Sequence, residues 1–217
     1  MSELEMYRYF GPLIGKLTLP DKILKELNEA CDKIAKDKRK IKHGDISKKL
    51  AGSVTHEFKI PQSLIKSQST FWNSILSQYV ENAVGAVDSA MFRCRPGEPV
   101  ELQTAWFNRY FAGDYQPVHF HPEATLSLTG FLKIPNWEKE QRRAKQNKGR
   151  SSLPGQLCFM NGSVQEWSTH ICNIQPVAGD VYIFPATMPH CVYPYKTKGE
   201  RRSFAMNFGP IQRDGVK

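Results

Sequence analysis

Several features that commonly announce a function are missing from this 217-residue chain. No apolar run approaches the roughly 20 residues that cross a bilayer. The opening MSELEMYRYF has no basic stretch leading into a long apolar one, so neither a membrane helix nor a secretory leader is expected. Cysteine is sparse and odd in number, with five residues at 31, 94, 158, 172 and 191 and no CxxC pair. That pattern excludes a disulfide framework and a cysteine zinc site. The expected state is buried free thiols in a reducing compartment, hence the cytoplasm. Phosphate-loop, nucleophile-elbow and kinase signatures are absent, and so is any internal repeat.

What is present fits an ordinary folded domain. Hydrophobic residues make up 40% of the chain, aromatics 11% and charged residues 24%, enough apolar material to build a core. The net charge of +9 is concentrated in two runs, 33–49 and 133–150. Neither run interleaves aromatic side chains as a stacking platform for single strands would. They read as a solvated helix face and a flexible loop, and nucleic acid is not an expected partner.

The chain changes texture near its middle. Ile23, Leu24, Leu27, Ala30, Cys31 and Ile34 recur at helical spacing behind Pro20 and Asp21, which predicts a helix over 20–42. A second helix is expected over 63–89, with Leu64, Phe71, Ile75, Leu76, Tyr79, Val80, Ala83 and Val84 on one face. From about residue 98, short β-rich runs alternate with Gly, Pro and Asn: ELQTAWFNRYF, TLSLTGFLKIP, GQLCFMN, HICNIQP, GDVYIFP and RRSFAMNF. Such spacing predicts a sandwich or barrel. The expected class is α+β, one domain overall, with a helical or mixed region at 1–95 packed on a β core at 96–217. Residues 136–153 are polar and basic and read as a long loop, a candidate lid.

The candidate chemistry centres on QPVHFHPE. In extended chain, residues i and i+2 point to the same side, so His119 and His121 can reach one ion, with Glu123 two positions further. A distant histidine, His190 in GDVYIFPATMPHCVYPY, completes a facial metal site with open positions. Eleven residues later comes Arg201 in GERRSFAMNF. There Arg201, Ser203, Ala205 and Asn207 share one strand face, and an arginine on an inner face is costly unless it binds an anion. A carboxylate gripped bidentately meets that need. His170, His43 and His56 lack partners at metal spacing. Asp180 reads as the turn before a strand, and Glu200 as a surface partner of Arg202.

This ordered set resembles the Fe(II)/2-oxoglutarate-dependent oxygenases of the double-stranded β-helix (jelly-roll, cupin-like) fold. It is most similar to the short 2OG-Fe(II) oxygenase type of bacteria and marine phages, which is prolyl-hydroxylase-like. The phrases that carry the resemblance are AWFNRYFAGDYQPVHFHPEATLSLTGFLKIP, GDVYIFPATMPHCVYP and GERRSFAMNF. It implies His119 and His190 as iron ligands and Arg201 on the far carboxylate of 2-oxoglutarate. Tyr110 falls at a co-substrate-binding position, with Asn108 and Ser203 near it. The implied cofactors are Fe(II), 2-oxoglutarate and O2, and the implied reaction hydroxylates a C–H bond of a protein side chain or small molecule, releasing succinate and CO2. The basic run adds an acidic substrate as an expectation.

One position departs from the family's HxD pattern, because His121 stands where the carboxylate should be. Three readings follow: a site of three histidines, a shifted register using His121, Glu123 and His190, or loss of tight metal binding. Two other classes compete. One is a three-histidine cupin-type dioxygenase that does not use 2-oxoglutarate; the other is a non-enzymatic basic binding module.

Overall fold

All six β-rich runs of the second half form strands in the computed structural model. It describes residues 4–7, 11–37, 52–54, 56–84, 100–146, 154–162, 166 and 169–210. In chain order the elements are β1 (Glu5–Tyr7), β2 (Ile14–Thr18), α1 (Asp21–Lys36), β3 (His56–Lys59), α2 (Gln62–Ser67) and α3 (Ser69–Val84). There follow β4 (Val100–Tyr110), β5 (Gln116–His119), β6 (Leu126–Lys133), α4 (Glu138–Gln146), β7 (Leu157–Met160), β8 (Ile171–Ile174), β9 (Asp180–Pro185), β10 (His190–Val192) and β11 (Arg201–Pro210). A seven-stranded sheet has the order β1-β2-β9-β6-β11-β4-β3, and a four-stranded sheet the order β5-β10-β7-β8. The strands pair antiparallel throughout. The double-stranded β-helix is thus present as two facing sheets that do not close into a barrel.

Alternation along each strand of the larger sheet sorts side chains between two cores. On β11, Phe204, Met206 and Phe208 join Val181 and Ile183 of β9 and Leu126 and Leu128 of β6 under the helices. On the other face, Tyr110, Phe131, Tyr182 and Phe184 meet Leu157, Phe159, Ile174 and Val192 of the smaller sheet. Helix α1 contributes Ile23, Leu27, Cys31 and Ile34, one stripe at three- and four-residue spacing. Its Asn28 also donates to the Leu132 carbonyl at 3.1 Å, tying the helix to β6.

The predicted helices are shortened or divided. Helix α1 stops at Lys36, where Asp37 takes an extended conformation, and 38–42 lie outside the described residues. The helix expected over 63–89 is two helices broken at Gln68. The Gln68 side chain accepts from the Trp72 indole at 3.1 Å and donates to Glu26 at 2.8 Å, bracing α3 against α1. Its tail, 85–89, lies outside the described residues, as do His43 and Cys94.

The long loop expected over 136–153 contains helix α4 instead. Apolar periodicity is nearly absent there, so other forces hold it. Glu138 and Glu140 lie in its first turn and Arg143 and Lys145 in its last, complementing the helix dipole. Arg142 donates to Glu138 at 3.0 Å, one turn away. Glu140 accepts the backbone N–H groups of Lys196 and Thr197 at 2.8 and 2.7 Å, and the Trp137 ring meets Tyr195 edge-on. At Gly155 the chain needs a φ of +73°, and an added Cβ would strike that Trp137 ring.

Candidate metal centre

Two strands of the smaller sheet bring the three histidines together. His119 on β5 and His190 on β10 are direct cross-strand partners, with ring centroids 4.2 Å apart. His121 follows β5, held where its N–H donates to the Ala186 carbonyl at 2.8 Å, and its ring lies 5.3 Å from each of the other two. One nitrogen from each ring falls within 4.8 Å of the others, a cluster that could hold a metal ion. Glu123 stands exposed in the turn beyond and is not part of the cluster.

The rings are set up as donors. His119 Nδ1 lies 2.9 Å from the Pro117 carbonyl, and His190 Nδ1 lies 2.9 Å from the Met188 carbonyl. A carbonyl only accepts, so each Nδ1 carries the proton and each Nε2 keeps its lone pair. Burial, reinforced by the neighbouring histidines, pushes His190 down to about 3 and His121 down to about 4. Burial likewise lowers His119, against the hydrogen bonds to Pro117 and His190. All three are neutral near pH 7, the state in which imidazole ligates a metal.

Beside the histidines runs a narrow cleft between the sheets, partly open to solvent. As the alternation on β11 predicts, Arg201, Ser203, Ala205 and Asn207 all line it, with Trp106, Asn108 and Tyr110 from β4 opposite. Arg201 is 1% exposed. Its guanidinium lies 4.9 Å from the Tyr110 ring centre and 5.0 Å from that of Phe131. It reaches Ser203 Oγ only at 3.5 Å, its Nε has no partner, and no ion pair to it occurs among the described residues. Burial lowers its pKa. Asn108 Oδ1 is also buried without a partner.

The adjacent Arg202 points the other way and is saturated. It donates to Glu200 at 2.9 and 3.1 Å and to Asp32 at 2.7 Å. Glu200 also accepts from Arg109 at 2.6 Å, so it is not the surface residue expected but a buried junction of β4, β11 and α1. Burial alone would raise Glu200; hydrogen bonds from Arg202 and Arg109 overcome it and hold the carboxyl down at about 2. Asp180 begins β9 and pairs with Lys16 at 3.4 Å. His56 is half-buried on β3 over Phe58, and His170 precedes β8; neither joins the cluster.

Among the residues that escaped the sequence, Gln116, Ser127 and Thr129 line the cleft and Tyr195 braces the strands behind it. Gln116 accepts from the Tyr110 hydroxyl at 3.0 Å. A register irregularity between β5 and β10 lets Gln116 and His119, three residues apart, both reach inward, which strict alternation forbids. Tyr195 accepts from the Arg201 N–H at 3.1 Å and sits 2.6 Å from the Tyr110 carbonyl, bracing β4 and β11 together. No residue of α4 lines the cleft, and 147–153 of the expected lid lie outside the described residues.

Residues 104–207, from β4 through β11, match the family model described as "Putative 2OG-Fe(II) oxygenase". No curated protein matches the chain in sequence. Among solved structures, a Pseudomonas putida prolyl-4-hydroxylase superposes with a TM-score of 0.57 at 14% identity, covering 97% of this chain and 94% of its own. A Trichoplax adhaerens prolyl hydroxylase, in complex with a hypoxia inducible factor peptide fragment, gives 0.55 at 14% identity over 95% and 83%. SnoN, an alpha-ketoglutarate-dependent epimerase of nogalamycin biosynthesis, gives 0.60 at 14% identity over 97% and 84%. At such identities the superpositions establish the shared fold, while the sequence match spans every side chain of the cleft from Trp106 to Asn207. Over residues 104–207 the chain thus matches, in sequence and in fold, the 2OG-Fe(II) oxygenases, oxidoreductases that work with Fe(II), 2-oxoglutarate and O2.

Proposed function

We propose that His119, His121 and His190 hold the Fe(II), and that Arg201 and Tyr110, with Asn108 and Ser203 beside them, bind the far carboxylate of 2-oxoglutarate. The observation that carries this reading is Arg201, a guanidinium without a carboxylate partner, sealed in the cleft that the histidines line. A buried cation of this kind lacks an anion, and a carboxylate with two oxygens supplies the missing hydrogen bonds. A cupin-type dioxygenase that does not use 2-oxoglutarate has no need of it. Burial raises the Tyr110 pKa and keeps its hydroxyl protonated; its one O–H, given to Gln116 in this structure, would turn to the carboxylate when 2-oxoglutarate binds.

Three neutral nitrogen donors leave the full double charge of the ion uncompensated, which favours a dianionic co-substrate. Bound together, Fe(II), 2-oxoglutarate and O2 supply the oxidising power to break a C–H bond. The chain's own residues do the rest. Carbonyls of Pro117 and Met188 orient the His119 and His190 rings, and Phe184, Leu157 and Trp106 supply the apolar part of the cleft wall. Glu123 stays out of the ligand set.

The substrate is a C–H bond of a protein side chain or of a small molecule, and the reaction is hydroxylation. The net charge of +9 favours an acidic substrate by steering its approach. The four described thiols, all free, accord with work in the cytoplasm. No helix among the described residues is long and apolar enough to cross a membrane. Equilibrium dialysis with Co(II) tests the ligand set. One ion should bind per chain, and His119→Ala, His121→Ala and His190→Ala should each weaken binding at least tenfold. Glu123→Ala should leave it unchanged. Loss of Co(II) in Glu123→Ala with retention in His121→Ala would overturn the assignment.

A further inference from the structure

Cys158 of β7 and Cys191 of β10 face each other directly across the smaller sheet. The Met160 N–H donates to the Pro189 carbonyl at 2.9 Å, and the Tyr193 N–H to the Gln156 carbonyl at 3.0 Å. In an antiparallel ladder these bonds recur every second pair, which makes Cys158 and Cys191 a hydrogen-bonded pair. Cα atoms of such a pair lie roughly 5.5 Å apart. A disulfide accepts about 4.4–6.8 Å there, but it draws the Cβ atoms to about 3.5–4.5 Å, closer than a hydrogen-bonded pair sets them, so closure requires β10 to shift and leaves a strained, easily reduced bridge. His190, Val192, Leu157 and Phe159 point into the protein, so the two thiols share the opposite face of the sheet.

Both thiols are free and buried, yet neither belongs to either hydrophobic cluster, whereas Cys31 and Cys172 each sit inside one. The Cys158 thiol also lies 3.8 Å from the Phe159 carbonyl. Strand β10 is three residues long and its register with β5 is irregular, so the pair sits on a segment with little ladder to break before a small oxidant enters.

We propose that Cys158 and Cys191 are an oxidative modification site, closed to a disulfide by hydrogen peroxide. Two S–H bonds and the O–O bond break, one S–S bond forms, the sulfurs give up two electrons and two protons, and peroxide leaves as two waters. The cross-link ties β10 to β7 one residue from His190. It does not depend on which residues hold the metal.

The test is peroxide treatment of the metal-free protein, followed by alkylation of remaining thiols, digestion without reductant and mass spectrometry. The expected result is a cross-linked peptide pair carrying Cys158 and Cys191, lighter by two hydrogens, loss of two alkylatable thiols, and full reversal by dithiothreitol. Cys158→Ser and Cys191→Ser should each abolish it, with Cys158→Ala and circular dichroism confirming that the fold survives. Full alkylation of both thiols after treatment overturns the proposal. So does a bridge from either residue to a different cysteine, or sulfinic acid on one thiol in place of the bridge.

Discussion

Replacing Arg201 with methionine should stabilise the metal-free protein while removing its grip on 2-oxoglutarate. The guanidinium is 1% exposed and makes no ion pair among the described residues. Leaving an ion buried without its partner costs several kcal/mol. Two cation–π contacts, to Tyr110 and Phe131, return about 1–2 kcal/mol each. Methionine fills the same channel with an uncharged stem and forfeits only those contacts. The net expectation is a gain of roughly 1–3 kcal/mol, and a chain of this size gains about 2–4 °C in melting temperature per kcal/mol. Two charge-assisted hydrogen bonds to a carboxylate contribute about 3–6 kcal/mol, so affinity for 2-oxoglutarate should fall by roughly two to four orders of magnitude. Thermal unfolding of wild type and Arg201→Met, with and without millimolar 2-oxoglutarate, reads both effects. The variant should melt higher alone and gain nothing from the ligand. A variant that melts well below wild type and still binds 2-oxoglutarate tightly would refute the reasoning.

Four further outcomes follow from the geometry. Because burial and mutual repulsion hold His190 at about 3 and His121 at about 4, metal binding near pH 7 should release almost no protons, measurable by titration calorimetry in buffers of different ionisation heat. The same shifts mean that the unfolded chain takes up protons the folded one refuses. Stability of the metal-free protein should therefore fall as pH drops below about 6.5 toward 4, and His190→Ala should flatten that slope in urea titrations. Glu200, held at about 2 by Arg202 and Arg109 against its own burial, contributes stability that is complete above its ordinary 4.5 and disappears as pH falls toward 2. Glu200→Gln should cost about 3–5 kcal/mol at pH 7 and lose that acid dependence, because Arg109 loses its carboxylate and Arg202 keeps only Asp32. Gly130 lies where an added Cβ would meet the Phe204 ring and Val181; Gly130→Ala should destabilise by about 1–3 kcal/mol, and an unchanged denaturation midpoint would contradict that packing.

Much of the site was legible because period-two alternation is a strong rule. Arg201, Ser203, Ala205 and Asn207 were placed on one face from their spacing alone, and all four line the cleft. His119 and His121 obeyed the same rule. The pairing of His119 with His190 across strands depends on β10 lying between β5 and β7, which no local pattern encodes. Gln116 was invisible because the irregularity beside it breaks the alternation. Helix α4 was missed for a related reason: its stability comes from end charges and from Glu140 gripping the backbone at 196–197 rather than from an apolar stripe. The split at Gln68 turns on a buried side-chain hydrogen bond that hydrophobic periodicity cannot register. Arg201 and Arg202 look alike in sequence. Alternation told them apart, but only the paired strands reveal that Arg202 closes a buried ion network with Glu200, Arg109 and Asp32.

The central claim is that three histidines and Arg201 assemble one iron and 2-oxoglutarate site, and its most direct test is optical. Fe(II) and then 2-oxoglutarate are added to the metal-free protein without oxygen, while the visible charge-transfer absorption of chelated 2-oxoglutarate is followed. The band should require both additions, persist in Glu123→Ala, and vanish in His121→Ala and in Arg201→Met. Iron binding without any band in the wild-type protein would contradict the account.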